Sequence, residues 1–463
     1  MGRRTGWWPT RAERGRLPAS ALPRTFSAAR ARVAASMVCV AAALGALTGT
    51  YAQPAAAAGT ADGYAFADDA LPVTAAQSTT GAERLRLGGT YRSSVSVATQ
   101  AYYRLDLDAA ADAYVAATVV PPPGTSVTTL DGIKVSVQDV DGGVCDQDTE
   151  TFGSVRSARP LTAWAVRELT SRRSRCQEAG TYYVVVEAVK SDDEVFAPEE
   201  WELELVTVSE PKLERSAATE APDSWNSAPP SGLTGDPSPR TGGAGFTQAT
   251  RLGQGVWEDE VRPGQTLFYE VPLGWGQQLY ATAELGSSPG GSGATAGALD
   301  LTLYNPVRGP VEDERVGYYG RQQSAELDPL PPVAHENRFA VSDRISGMRF
   351  AGSYYLVVHL ADQVAERFGD EALGLTLRVG VEGVPRSGPD YAGEPEPKGL
   401  FEAEGASGLP SLPGGGGSGT AKAREATDDD TAMTALAVGG LGGGTALLAG
   451  LGVWTVAARR RAG

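Results

Sequence analysis

The chain has 463 residues and a formal net charge of −16, with 56 acidic against 40 basic side chains. Phosphate backbones are gripped by basic surfaces, so this balance argues against nucleic acid as a partner. Its three cysteines are too few for a disulfide-dense scaffold but suffice for one bridge in an oxidising compartment.

Residues 1–32 are rich in arginine, from Arg3 and Arg4 to Arg30 and Arg32, and an apolar run from Val33 to about Leu47 follows. With the Ala-rich stretch through Ala58, these are the three parts of a secretory signal region, residues 1–58. Residues 59–81 read as a disordered lead-in. Two modules are expected, at 82–209 and 248–383, joined by a flexible Pro-, Ser- and Gly-rich linker at 210–247. Residues 384–430, which include Gly414 to Gly417, read as a disordered stalk. From Thr431 to Ala458 no residue is charged, and Arg459, Arg460 and Arg461 follow at once. That predicts a transmembrane helix at 431–458 with a cytoplasmic tail at 459–463 and everything earlier outside.

The two modules are a duplication. Gly89-Thr90-Tyr91 aligns with Gly255-Val256-Trp257, Ala101-Tyr102-Tyr103 with Leu267-Phe268-Tyr269, and Tyr114 with Tyr280. Ile133, Val135 and Val137 align with Leu299, Leu301 and Leu303, all at one offset of ~166 residues. Beyond a loop the offset becomes ~172 and brings Gly180-Thr181-Tyr182-Tyr183 onto Gly352-Ser353-Tyr354-Tyr355. Apolar residues alternate at period two in these stretches, so each copy reads as short strands. The expected fold is all-β: two tandem antiparallel, jelly-roll-like β-sandwich modules plus one C-terminal transmembrane helix. Helix is expected only at about Leu161–Ser171 and as a turn at Ala361–Phe368.

These strands resemble the bacterial pre-peptidase C-terminal (PPC) type of β-sandwich. The likeness rests on the aromatic strand Ala101-Tyr102-Tyr103-Arg104-Leu105, on Asp300-Leu301-Thr302-Leu303-Tyr304-Asn305, and on Gly352-Ser353-Tyr354-Tyr355-Leu356-Val357-Val358. The first module keeps Gly180-Thr181-Tyr182-Tyr183-Val184-Val185-Val186 but has Lys134 where the acidic residue would stand. The resemblance implies non-catalytic modules that accompany secreted hydrolases, some of which bind calcium.

Few residues carry chemistry. No Gly-x-Ser-x-Gly elbow, His-Glu-x-x-His motif or P-loop is present, and the two histidines, His335 and His359, read as surface residues. Asp139, Asp141, Asp146 and Asp148 crowd a Gly-Gly turn and are candidate calcium ligands, as is Asp300 in the second copy. Cys145 and Cys176 are expected to form a disulfide worth ~3–4 kcal/mol. Tyr103, Tyr183, Tyr269 and Tyr355 recur in both copies and read as framework, whereas Trp257 and Trp275 are candidates for stacking on sugar rings. The expected function is that of a non-catalytic surface-binding or scaffold protein anchored in the bacterial plasma membrane, with an accessory extracytoplasmic subunit of a membrane complex as the alternative and a secreted-type hydrolase after it. Its partner would be a cell-wall polymer or another membrane protein.

Overall fold

Period-two alternation becomes strand pairing throughout the computed structural model, which describes residues 63–403 apart from 98, 171–173, 191–199, 216–217, 229 and 231. The expected signal region, membrane span and tail, and the expected stalk beyond 403, lie outside the described residues. No helix among the described residues is long and apolar enough to cross a membrane.

The first module holds β1 (Leu71–Pro72), β2 (Glu83–Leu85), β3 (Thr90–Ser96), β4 (Gln100–Leu107), β5 (Ala111–Val120), β6 (Gly132–Asp139), β7 (Val144–Thr151), β8 (Leu161–Arg167), β9 (Gly180–Val189) and β10 (Glu200–Pro211). The second holds β11 (Ser238–Pro239), β12 (Thr250–Arg251), β13 (Gly255–Val261), β14 (Thr266–Leu273), β15 (Gln278–Leu285), β16 (Thr295–Tyr304), β17 (Pro310–Tyr318), β18 (Gln323–Glu326), β19 (Gly352–Leu360) and β20 (Leu373–Glu382). One module's sheets run β1-β3-β10-β5-β8 and β2-β4-β9-β6-β7; the other's run β11-β13-β20-β15-β18 and β12-β14-β19-β16-β17. The duplication therefore extends strand for strand.

Each pair of sheets encloses its own core. Ile133, Val135, Val137, Tyr103 and Trp201 fill the first, and Leu299, Leu301, Leu303, Tyr269 and Tyr354 the second. Cys145 and Cys176 form the expected disulfide, which ties β7 to the segment before β9.

The hairpin between β6 and β7 shows how closely the copies agree. Asp139 Oδ1 accepts the N–H groups of Asp141 (3.0 Å) and Gly143 (2.7 Å). In the second copy Asn305 Oδ1 accepts those of Val307 (3.1 Å) and Gly309 (2.9 Å). A neutral amide does there what a carboxylate does here, so the position calls for an acceptor that closes the turn. We therefore expect Asp139→Asn to melt with wild type to within ~0.5 kcal/mol and Asp139→Ala to lose ~1 kcal/mol in urea unfolding.

The structure departs from several expectations. The modules are not wholly antiparallel: β1 runs parallel to β3, β2 to β4, β11 to β13 and β12 to β14. Those short strands also move the module starts forward, into segments expected to be lead-in and linker. The expected helix at Leu161–Ser171 is instead strand β8 through Arg167. Its Leu-Thr-Ala-Trp-Ala-Val-Arg run is buried on both faces, which erased the alternation that marks a half-buried strand. The turn at Ala361–Phe368 forms as expected, a 3-10 turn Asp362–Val364 running into a helical turn Ala365–Phe368.

Candidate functional site at the module junction

What covers the outer face of β8 is the second module. The β16–β17 hairpin tip, residues 305–309, presses on the first module's β5-β8-β10 face. Its Gly309 lies flat against the Trp164 ring, where an added Cβ would come within 2.7 Å. Val307 joins Tyr114, Val166, Val208, Phe350 and Phe401 in one apolar cluster. Tyr114 stacks on Trp164 at 5.7 Å and meets Phe350 edge-on at 5.3 Å.

Arg308 at this tip breaks a local rule. Its φ is 62°, in the left-handed region, where the first copy has Gly142 at 79°. A non-glycine residue there costs ~1–2 kcal/mol. The return is tertiary: the guanidinium donates to buried Glu204 of β10 and lies 4.6 Å over the ring of Phe246. Glu204 also accepts the Tyr64 hydroxyl (2.9 Å) and the Ala67 N–H (2.9 Å).

Four further contacts lock the two modules. Arg338 donates to Glu210 of β10 and lies 3.4 Å from Asp112 of β5. Glu210 accepts the hydroxyls of Tyr114 (2.7 Å) and Tyr391 (2.9 Å) as well. Burial opposes the Glu210 charge, but Arg338, His335 and Tyr114 outweigh it and hold its pKa below the usual value. Burial and the Glu210 charge push Asp112 up to about 7. Arg159 pairs with Asp300 at 3.1 Å, both almost fully buried. Arg349 reaches Glu168 at 3.3 Å from a cage of Tyr114, Trp164 and Phe350. His359 Nε2 meets Ser157 Oγ at 2.9 Å, and that oxygen also accepts the Asp362 N–H.

Segments expected to be loose complete the weld. Residues 63–67, ahead of the first module, attach to the second: Ala65 N–H donates to Ala244 (3.0 Å) and Tyr64 packs on Phe268. Residues after the second module return to the first. Ser209 and Glu396 exchange backbone hydrogen bonds of 2.8 and 3.1 Å, and Ala392 N–H donates to Lys212. The opening of the expected stalk, 384–403, is thus a strap on β10.

The candidate residues now have places. Both histidines are buried by the junction, 8 % and 1 % exposed, rather than at the surface. Burial holds His359 neutral, far below its ordinary pKa, and burial together with Arg338 brings His335 down to about 4. Asp146 and Asp148 sit on edge strand β7 and accept the N–H groups of Val166 (3.1 Å) and Trp164 (3.4 Å) on β8. They close the side of the first sandwich. Asp141 is exposed at the hairpin tip, and Asp300 is neutralised by Arg159 and Arg315. The proposed calcium ligands are therefore not brought together, and no group of three His, Cys, Asp or Glu among the described residues is placed to hold a metal ion. Tyr103 and Tyr269 are core residues; Tyr355 packs against Phe246 in the junction. Trp257 lies on strand β13 against the second core.

Carboxylates do converge elsewhere. A cleft of about 220 Å³ between the modules is lined by Asp148, Glu150, Asp300, Glu312 and Asp313, with Arg159 and Arg315. Asp148 and Asp300 are engaged as above, Asp313 pairs with Arg315 (3.2 Å) and Glu312 with Arg344 (3.4 Å). Glu150 enters no ion pair among the described residues, and burial with the charges of Asp148 and Asp313 raises it to about 8. No single signal in the sequence marked this cleft, because its walls come from strands of different modules.

No protein-family profile matches the chain. No curated protein matches it. Solved structures match it only at a distance. The CUB1-EGF-CUB2 region of human MASP-1/3 is 7 % identical, with 62 % of this chain and 99 % of that one covered at a TM-score of 0.14. The tandem CBM22-1-CBM22-2 domain of Paenibacillus barcinonensis Xyn10C is 9 % identical, with 63 % and 83 % covered at 0.16. The ANX2 ectodomain of Arabidopsis thaliana is 8 % identical, with 64 % and 85 % covered at 0.17. At these scores the likenesses carry no assignment of family or function.

Proposed function

We propose that this chain is a non-catalytic binding or scaffold protein on the outer face of a bacterial plasma membrane, anchored by the uncharged run 431–458. It engages a wall polymer or a neighbouring membrane protein through one rigid, two-module body. The observation that carries this reading is the junction. Buried ion pairs and two crossing straps hold the modules at a fixed spacing, as a binding platform requires and as a pair of beads on a linker would not provide. The acidic side chains that crowd the junction are mostly consumed in these structural contacts.

One observation favours a second reading, acid–base hydrolysis: Glu150 is held protonated near neutral pH among ionised neighbours, as a general acid is. Against it stands the cleft, about 220 Å³, below the ~300–1,000 Å³ of ligand pockets.

The test is a pull-down with purified residues 63–403, so that both straps are kept, on isolated cell walls and on detergent-solubilised membranes, with and without a calcium chelator. Retention on walls supports the binding reading, and loss with chelator would add calcium to it. Capture of one membrane protein alone would make the chain an accessory subunit. Wall turnover by wild type that Glu150→Gln abolishes would put hydrolysis first.

A further inference from the structure

A second cleft, of about 470 Å³, is built from segments the sandwiches themselves do not need: the linker around Trp225, the loop Pro331–Asn337 and the strap Arg386–Pro389. Its volume falls within the usual range for small-ligand sites. Two part-buried indoles, Trp225 and Trp275, line it. The tyrosines of the sandwich frame recur at equivalent positions, but Trp275 does not. At the ~166-residue offset the first copy has Ala109. Trp275 packs in part against the second module's core, and the rest of its surface lines the cleft.

The polar side chains of the cleft are Ser224, His335, Glu336, Asn337, Arg386 and Ser387, and Asn337 is engaged with the carbonyls of Pro332 (2.9 Å) and Met348 (2.9 Å). His335 is nine-tenths buried, its Nε2 3.8 Å from Glu210 and its Nδ1, on the other side of the ring, without a hydrogen-bond partner. Arg386 folds its stem over Gly276, and its guanidinium enters no ion pair among the described residues. Ser224 and Ser387 bring exposed hydroxyls. Aromatic side chains, scattered hydrogen-bonding groups, one cation and the carboxylate of Glu336 match a pyranose ring, which has apolar faces and a rim of hydroxyls.

We propose that this cleft binds one saccharide unit of a polymer, its ring face on Trp275 and Trp225, and Arg386 toward any carboxylate it carries. The inference rests on the binding reading above and supplies its ligand class and place.

The test is calorimetric titration of the intact chain, held in a sugar-free zwitterionic detergent, with N-acetylglucosamine trimer and galacturonic acid trimer. At least one trimer is expected to bind saturably. Trp275→Ala weakens it roughly tenfold, while Trp275→Phe keeps most of the affinity. Arg386→Ala weakens only the acidic trimer, which separates carboxylated from neutral sugars. Should Trp275→Ala misfold, Trp225→Ala, outside both sandwiches, gives the same readout. Binding of neither trimer overturns the proposal, as do Trp275→Ala and Trp225→Ala proteins that bind like wild type, or saturation by a proline-rich peptide alone. Retention on walls without trimer binding removes this site and leaves the platform reading intact; loss of both removes both.

Discussion

Arg338→Met is expected to cost ~3–5 kcal/mol and to uncouple the modules. The guanidinium is the main cation facing Glu210, which lies almost fully buried with Asp112 nearby. Methionine fills similar space but leaves a buried carboxylate with the Tyr114 and Tyr391 hydroxyls and, at 3.8 Å, His335 Nε2. Removing one partner of a buried pair strands the other charge, and that penalty exceeds the net worth of the pair. Wild-type residues 63–403 should unfold in one calorimetric transition. The variant should show two, the first lowered by roughly 5–10 °C, with faster proteolytic cutting in the linker. Adding Glu210→Leu should recover part of the loss, since it removes the stranded charge. Arg92→Met gives the comparison: its pair with Glu202 is about half exposed on both sides and is worth under ~1 kcal/mol. An Arg338→Met protein that melts once, at the wild-type temperature, would show that the ion pairs do not hold the modules together.

The sandwiches were legible because their signals are local. Alternation in Ile133, Val135, Val137 and in Leu299, Leu301, Leu303 needs only the strand's own pleat, and the repeat offset carried one module's reading onto the other. The weld was illegible because each half of it lies far away in the chain. Glu204 reads as the outward-facing residue of a half-buried strand until Arg308, 104 positions later, covers it. Residues 384–403 have the composition of a stalk, and their backbone pairing with Ser209 and Lys212, with Tyr391 and Phe401 packed into the junction, makes them structure. The two-sided burial of β8 turned a strand into an apparent helix for the same reason. One clue was present: Arg308 stands where the first copy has Gly142 in a turn that requires positive φ. A side chain placed against local preference marks a tertiary demand. In the acid cluster around Asp139, the carboxylates of Asp139, Asp146 and Asp148 each accept a backbone N–H, which spacing along the chain does not reveal.

Glu150→Gln should flatten the dependence of stability on alkaline pH. Glu150 faces Asp148 on its own strand, Glu312, Asp313 and Arg315 on β17, Asp300 on β16, His359 on β19, and Arg159. Burial and the neighbouring acids raise its carboxyl from 4.5 to about 8, so the folded protein keeps a proton there that the unfolded chain releases. Between pH 4.5 and about 8 the native state thus binds more protons than the unfolded state, and stability from this group falls as pH rises. It is fully present below the unfolded pKa and gone above the folded one. Asp112, raised to about 7, adds a loss of the same sign over a lower window. Glutamine imitates the protonated carboxyl and cannot ionise. Melting curves of residues 63–403 from pH 6 to 9 should fall steadily for wild type and more gently for Glu150→Gln, which should be the more stable protein at pH 9. Since the group lies in the cleft between modules, the wild-type loss should fall on the coupling between them. The single transition of the joined body should broaden or split near pH 9 in wild type and stay single in Glu150→Gln. Parallel slopes for the two proteins would mean that Glu150 ionises freely in the fold, and that the cleft is open to water.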